Sequence, residues 1–362
     1  MKDSKEMLNR TAERQEIRAY FPVDARRIDL LARLIIALLQ VCTVNYAQLA
    51  LALNEQVKVS SNFKRLQRFF REFHFARRAY VQFVWQQFAS SQTVLAIDRT
   101  HRRATPWKFG KHHINVLMIS IVYQGTAIPV VWKLLGKAGD ASQTERIALT
   151  RALLWFLTDE QKVTIQALTA DREFIGYQWL TYLLGQQLDF VIRIRKDALV
   201  SHGPHTTHAY RVFATSQLRI LRKSRRVFGL SLHMSGQQLS NSEWLILIST
   251  LKGKQMVQLY QQRWKIELLF GCLKSRGFSF EDTHLKHDER ISTMIFVLAI
   301  TLCWAIKTGE WLLEQGYTIP IRQFKERKEY LYSLFRIGLD QLKVLMLHHL
   351  EFKHLIPLLS CT

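Results

Sequence analysis

From residue 91 the chain changes its period. The segment "QTVLAIDRT" is a short apolar run that closes on Asp98, and "INVLMISIVYQGTAIPVVWKLL" divides at Gln124 and Gly125 into two further runs of strand length. "DASQTE" then opens a helical pattern from Ala141 to about Leu157, with Ser142 and Glu145 at capping-box spacing. "KVTIQALTAD" is a fourth strand closing on Asp171, "FIGYQWLTYLLG" a helix with Gly185 near its stop, and "LDFVIRIRK" a fifth strand. The order predicts an α/β fold: three strands including an antiparallel hairpin, a helix, a strand, a helix and a strand.

Both flanks read differently. Residues 26 to about 90 are helical in pattern. In "VSSNFKRLQRFFREFHFARR" Ser60 and Ser61 are placed to cap a helix with the apolar stripe Phe63, Leu66, Phe69 and Phe70. Its other face carries Lys64, Arg65, Arg68 and Arg71, which is either a solvated surface or a phosphate-contacting one. Residues 197 to 252 hold strand-like runs between polar turns, which predicts a β-rich insertion, and a mostly helical tail runs from 289 to the end.

Lys and Arg outnumber Asp and Glu by 51 to 29, and the net charge of +22 implies a polyanionic partner, nucleic acid before an anionic membrane. Three uncharged stretches are better read as core than as membrane spans. Residues 34–52 break at Thr43 to Asn45 into two helices, 114–132 form a hairpin, and the apolar run 291–306 falls short of the roughly 20 residues a span needs. Cys42, Cys272, Cys303 and Cys361 form no CxxC pair and suit a reducing compartment, and the first residues lack the apolar region of a secretion signal. His205 and His208, and His284 and His287, are HxxH pairs without a further ligand at zinc-like spacing, which favours surface loops. No GxxxxGK[ST] loop signals nucleotide-driven work.

The segment "LYQQRWKIELLFGCLKSRG" sets Tyr260, Arg263, Glu267 and Lys274 at offsets of 0, 3, 7 and 14. On a continuous helix these fall within an arc of roughly 60°. Leu259, Ile266, Leu269, Phe270 and Leu273 share the neighbouring face, and Trp264 flanks the stripe on its far side, where packing against another element is expected of it. Alone, an exposed Arg263–Glu267 pair contributes only about 0.2–0.5 kcal/mol and implies no chemistry. Asp98 and Asp171 change that. Strand-end carboxylates set side by side repel one another and are tolerated mainly around a cation, for which magnesium is the natural choice.

The pattern Tyr260-x2-Arg263-x3-Glu267-x6-Lys274, downstream of Asp98 and Asp171, resembles the signature of the insertion-sequence-4 family of bacterial DDE transposases. "TADREFIG" is similar to the family's segment around its second aspartate, with Glu173 where glycine is common; the resemblance covers roughly residues 60 to 310. It implies an RNase H-like core with a mixed five-stranded sheet, interrupted by the β-rich insertion. The expected division is 1–90 helical and DNA-binding, 91–196 core, 197–252 insertion, 253–288 the core helix with Glu267, and 289–362 helical.

By the same resemblance Asp98, Asp171 and Glu267 hold two Mg2+ or Mn2+ ions for in-line displacement at phosphorus. Tyr260, Arg263 and Lys274 contact phosphates, with Lys64, Arg65, Arg68 and Arg71 recognising the end. Trp244 is a candidate for stacking an unpaired base, against the alternative of a buried strand tryptophan. The implied partners are terminal inverted repeats and target DNA, with a homodimer in the synaptic complex, no membrane, and a cytoplasmic, nucleoid-associated setting. Two rivals stay open: a structure-specific nuclease on the same core, and a DNA-binding regulator without catalysis.

Overall fold

The computed structural model describes residues 24–53, 56–100, 107–109, 112–240, 243–323 and 328–347. Helix α1 (Ala25–Val41) starts where the Asp24 carboxylate accepts from the Arg26 amide, and ends at Cys42 in a left-handed conformation. α2 (Tyr46–Leu53) leaves it at 112°, so the uncharged stretch breaks where Thr43 to Asn45 predict. α3 (Val59–Glu72) begins earlier than expected: Ser60 and Ser61 lie inside its first turn and Lys58 is the cap residue, without a side-chain bond. Its register is held from outside, since the buried Asn62 amide donates to the Ala50 carbonyl on α2. Leu66, Phe69 and Phe70 are buried and Phe63 half-buried, as the stripe predicts. α4 (Arg77–Phe88) completes the helical flank.

The sheet begins with β1 (Thr93–Arg99). A small side pair follows, β2 (Trp107–Phe109) and β3 (His112–Ile114), and then the hairpin β4 (Val116–Tyr123) and β5 (Thr126–Leu134). Its two-residue turn places Gln124 and Gly125 at φ 35° and 86°, the left-handed pair a type I′ turn demands. α5 (Gln143–Phe156) carries the complete Ser142–Glu145 capping box. After α6 (Asp159–Val163) come β6 (Ile165–Ala170), α7 (Tyr177–Gly185) and β7 (Phe190–Arg193). These five strands lie in the order β5-β4-β1-β6-β7, with β6 parallel to β1 and β7 and the other pairs antiparallel.

The sheet does not stop there. Residues 197–252 contain β8 (Leu199–His202), β9 (His205–His208), the short α8 (Ala209–Val212) and β10 (Arg219–Ile220). They continue with β11 (Arg225–Val227), β12 (Leu230–Ser240) and β13 (Glu243–Ser249). β13 pairs antiparallel with β7, Leu247 opposite Arg193, and carries the sheet on to eleven strands. Ile246, Leu247 and Ile248 are buried on both faces, so this strand is as much core as β1 is.

The chain returns through α9 (Gln255–Gln262) and α10 (Lys265–Leu273) to α11 (Asp288–Glu314). α11 has 27 residues, more than its apolar run, and by length and composition alone could cross a membrane; 94% of its most apolar window is buried inside the fold. Phe296 stacks on Phe75 at 4.4 Å, and the Trp132 indole on β5 donates to Ser292 at 2.9 Å, tying α11 to the sheet. After the pair β14 (Ile321–Gln323) and β15 (Lys328–Tyr330), α12 (Leu334–Leu347) crosses α11 at Gly309 and Gly338. The rest of the expected helical tail, 348–362, lies outside the described residues, as do residues 1–23 of the N-terminal region.

Candidate active site

Ile97 and Ala170 are register partners on parallel strands, so Asp98 and Asp171 occupy the next step at the same end of β1 and β6. Neighbouring strands are separated by roughly 4.8 Å, and in-register positions share a face. The two ends also fold alike: Asp98 Oδ1 accepts from the Arg99 amide and Asp171 Oδ1 from the Arg172 amide, each at 2.8 Å.

The third element departs from the expected continuous stripe. The helix breaks at Arg263 and Trp264, where Arg263, Ile266 and Glu267 each donate their amide to the carbonyl three residues back. Leu259, Ile266, Leu269, Phe270 and Leu273 are buried nonetheless. The break turns Arg263 into the sheet. Its Nη1 donates to Asp98 Oδ2 at 3.2 Å and its Nη2 to Glu267 Oε1 at 2.8 Å. All three side chains are enclosed, at 6%, 6% and 15% exposure. Tyr260 Oη makes a long bond of 3.5 Å to Asp171 Oδ1, and the guanidinium carbon lies 5.7 Å from the Tyr260 ring centre. Asp98, Asp171, Tyr260, Arg263 and Glu267 therefore converge.

Electrostatics follow from that enclosure. Burial, with the Asp171 charge adding to it and Arg263 opposing, pushes the Tyr260 phenol up to about 12. Burial works against the charge on Arg263, but Tyr260, Asp98, Asp171 and Glu267 outweigh it and push that group above its ordinary value.

Among the described residues no three His, Cys, Asp or Glu side chains are gathered to hold a metal. Where the sequence predicts carboxylates around a divalent ion, the guanidinium of Arg263 stands between Asp98 and Glu267. Enclosed carboxylates need a counter-charge, and Arg263 supplies one. By type the donors fit: three carboxylates, without sulfur or imidazole, are what a hard ion such as magnesium prefers.

Other expected residues lie elsewhere. Lys274 sits at the C-cap of α10, off the helical stripe; its half-burial lowers the ammonium pKa, against the pull of Glu281. Trp264 is 52% exposed rather than packed. On α3, Lys64, Arg68 and Arg71 are exposed and Arg65 half-buried, on a helix that packs against α2 and α11. Trp244 on β13 is partly buried, with the Lys196 ammonium 4.8 Å from its ring centre and Tyr210 edge-on at 6.1 Å. His205 and His208 lie on β9 rather than in a loop, with His208 Nδ1 2.8 Å from the Asp197 carbonyl.

Arg99 was not singled out by the sequence reading. Its guanidinium bonds Glu173 at 2.7 Å and Asp140 at 2.6 Å, clamping the end of β1 to the loop after β6 and to the loop that precedes α5. Burial raises the Glu173 carboxyl above its ordinary value, against the pull of Arg99. Arg146 backs the clamp, donating to the Ala141 and Ile175 carbonyls over the Phe174 ring. The visible signal was the repeated Asp-Arg dipeptide, Asp98-Arg99 and Asp171-Arg172.

No curated protein matches the chain. Among solved structures it is similar to a cryo-EM structure of the piggyBac transposase synaptic complex with hairpin DNA, at 12% identity and a TM-score of 0.46, over 91% of this chain and 76% of that one. A likeness that shallow carries no functional inference. Residues 89–304, well over half of the chain, match the family described as Transposase DDE domain. They run from just before β1 into α11 and include every residue of the convergent cluster, and on that match the chain belongs to the transposase DDE domain family.

Proposed function

We propose that the chain is the DNA transposase of an insertion sequence, with an RNase H-like core that nicks at the element's ends and joins the freed 3'-OH to target DNA. The observation that carries this is that Asp98 and Glu267 share the Arg263 guanidinium, while Asp171, at the same end of the neighbouring parallel strand, bonds Tyr260 on the same helical segment. Those carboxylates would hold two divalent ions, which supply activation of the attacking oxygen and stabilisation of the leaving one.

The chain's own groups do the rest. Arg263 keeps Asp98 and Glu267 neutralised before DNA arrives, then offers its planar fork to a phosphate, which that geometry suits. Tyr260 orients Asp171 and keeps its proton at physiological pH. The Arg99–Glu173 clamp fixes the spacing of the two strand ends. The net charge of +22 draws the polyanion. Two ends must be joined, so the working form is a homodimer on DNA.

The test is cleavage of a duplex carrying the repeats that flank the gene, in magnesium or manganese, comparing wild type with Glu267→Gln. Metal-dependent nicking at the repeat boundary, lost in the variant while DNA binding persists, is the expected result. Wild-type binding without cleavage would sink the proposal.

A further inference from the structure

A cavity lined by none of the three carboxylates opens among the helices. It measures about 400 Å³ and sits between the start of α2, the middle of α3 and the segment leading into α11. Tyr46 and Phe63 supply aromatic wall, Asn45 and Gln67 carboxamides, and His284 and Arg290 the far rim. The volume is within the roughly 300–1,000 Å³ of small-molecule sites, and aromatic walls with a few polar groups are their usual lining.

Three observations say what it takes. First, the wall is set by Tyr46, whose side chain is packed among other aromatic rings. Its ring is held firmly, stacked on Phe70 at 5.3 Å and edge-on to Phe63 at 6.0 Å. Second, Arg290 is close enough to act electrostatically on that phenol, so a cation borders the aromatic wall. Third, Phe63 and Gln67 are one turn apart on α3, and Lys64, Arg68 and Arg71 form the stripe about 100° round the same helix. The cavity and the exposed basic face are therefore adjacent.

We propose that this cavity binds one unpaired nucleotide of a DNA strand whose backbone runs along the basic face of α3. The base lies against Tyr46 and Phe63, its edge reads the carboxamides of Asn45 and Gln67, and Arg290 takes the adjoining phosphate. An intact duplex cannot offer a base in this way, because its bases are stacked and paired. The cavity thus discriminates strand state, and the α3 stripe binds either form.

The test uses full-length protein in EDTA, so that no cleavage is measured and the result is independent of the catalytic proposal. Anisotropy compares a labelled single strand with the blunt duplex of the same length. Ala47→Trp, which puts bulk at an exposed position on the cavity rim, and Arg290→Gln are the variants, with melting curves to show that each folds. The expected result for Ala47→Trp is a loss of single-strand affinity of roughly ten-fold or more, one stacked base being worth about that much, with duplex affinity unchanged, and for Arg290→Gln a larger loss on the single strand than on the duplex. A second readout does not depend on variants: a single strand carrying 5-iodouracil should photo-crosslink to Tyr46 or Phe63. Wild-type affinity in both variants, or crosslinks confined to other regions, would overturn the proposal.

Discussion

Replacing Arg263 with methionine keeps much of the volume and removes a guanidinium bonded to both Asp98 and Glu267. Both carboxylates are enclosed, and removing one partner of a buried ion pair costs about 3–5 kcal/mol, because the other charge is left uncompensated. With an unfolding entropy near 2.1 cal/mol/K per residue over 362 residues, that is a fall in Tm of about 4–7 °C. Calorimetry in EDTA at neutral pH reads it directly. Neutralising the partners as well, with Asp98→Asn and Glu267→Gln on top of Arg263→Met, should recover most of the loss, since no stranded charge remains. Manganese at 100 times its Kd should restore about 2.7 kcal/mol to the single variant, the linkage value for a ligand of the folded state alone. A loss below about 1 kcal/mol in Arg263→Met would refute the view that this guanidinium neutralises the site.

The Tyr260 phenol, held at about 12 against an ordinary 10.0, contributes stability that is complete below pH 10 and is lost as pH rises through 12. An ultraviolet difference titration of wild type against Tyr260→Phe should isolate that late component, and a component near 10 would contradict the burial seen here. Gly338→Ala would set a Cβ 1.8 Å from the Ala305 carbonyl oxygen, so α11 and α12 must part. Overpacking of this kind costs about 1–3 kcal/mol or more, and denaturant unfolding of the variant checks it.

Local signals were legible where the physics is local. An apolar run that ends abruptly on a carboxylate located both β1–Asp98 and β6–Asp171, and Ser142 with Glu145 announced a helix start whose bonds stay within four residues. The α3 start was misread because Ser60 and Ser61 look like caps, while Asn62 is tied to α2, a contact that no local pattern encodes. The 14-residue stripe assumed one helix; the pull of Asp98 on Arg263, 165 positions apart in sequence, goes with the break at Arg263 and Trp264 and with Lys274 leaving the stripe. The β-rich segment was visible as strands, but its fusion to the main sheet rests on the long-range pairing of β13 with β7.

That pairing has a mechanical meaning. β7 is hydrogen-bonded to β6 on one side and β13 on the other, and β13 leads within six residues into α9, which carries Tyr260. A pull on the distal strands is therefore carried through a ladder loaded in shear to the strand that ends beside Asp171, and by the chain itself to the helix facing it. Force applied to the distal sheet would reach the strand end beside Asp171 through paired strands, and the helix bearing Tyr260 through the six residues that follow β13.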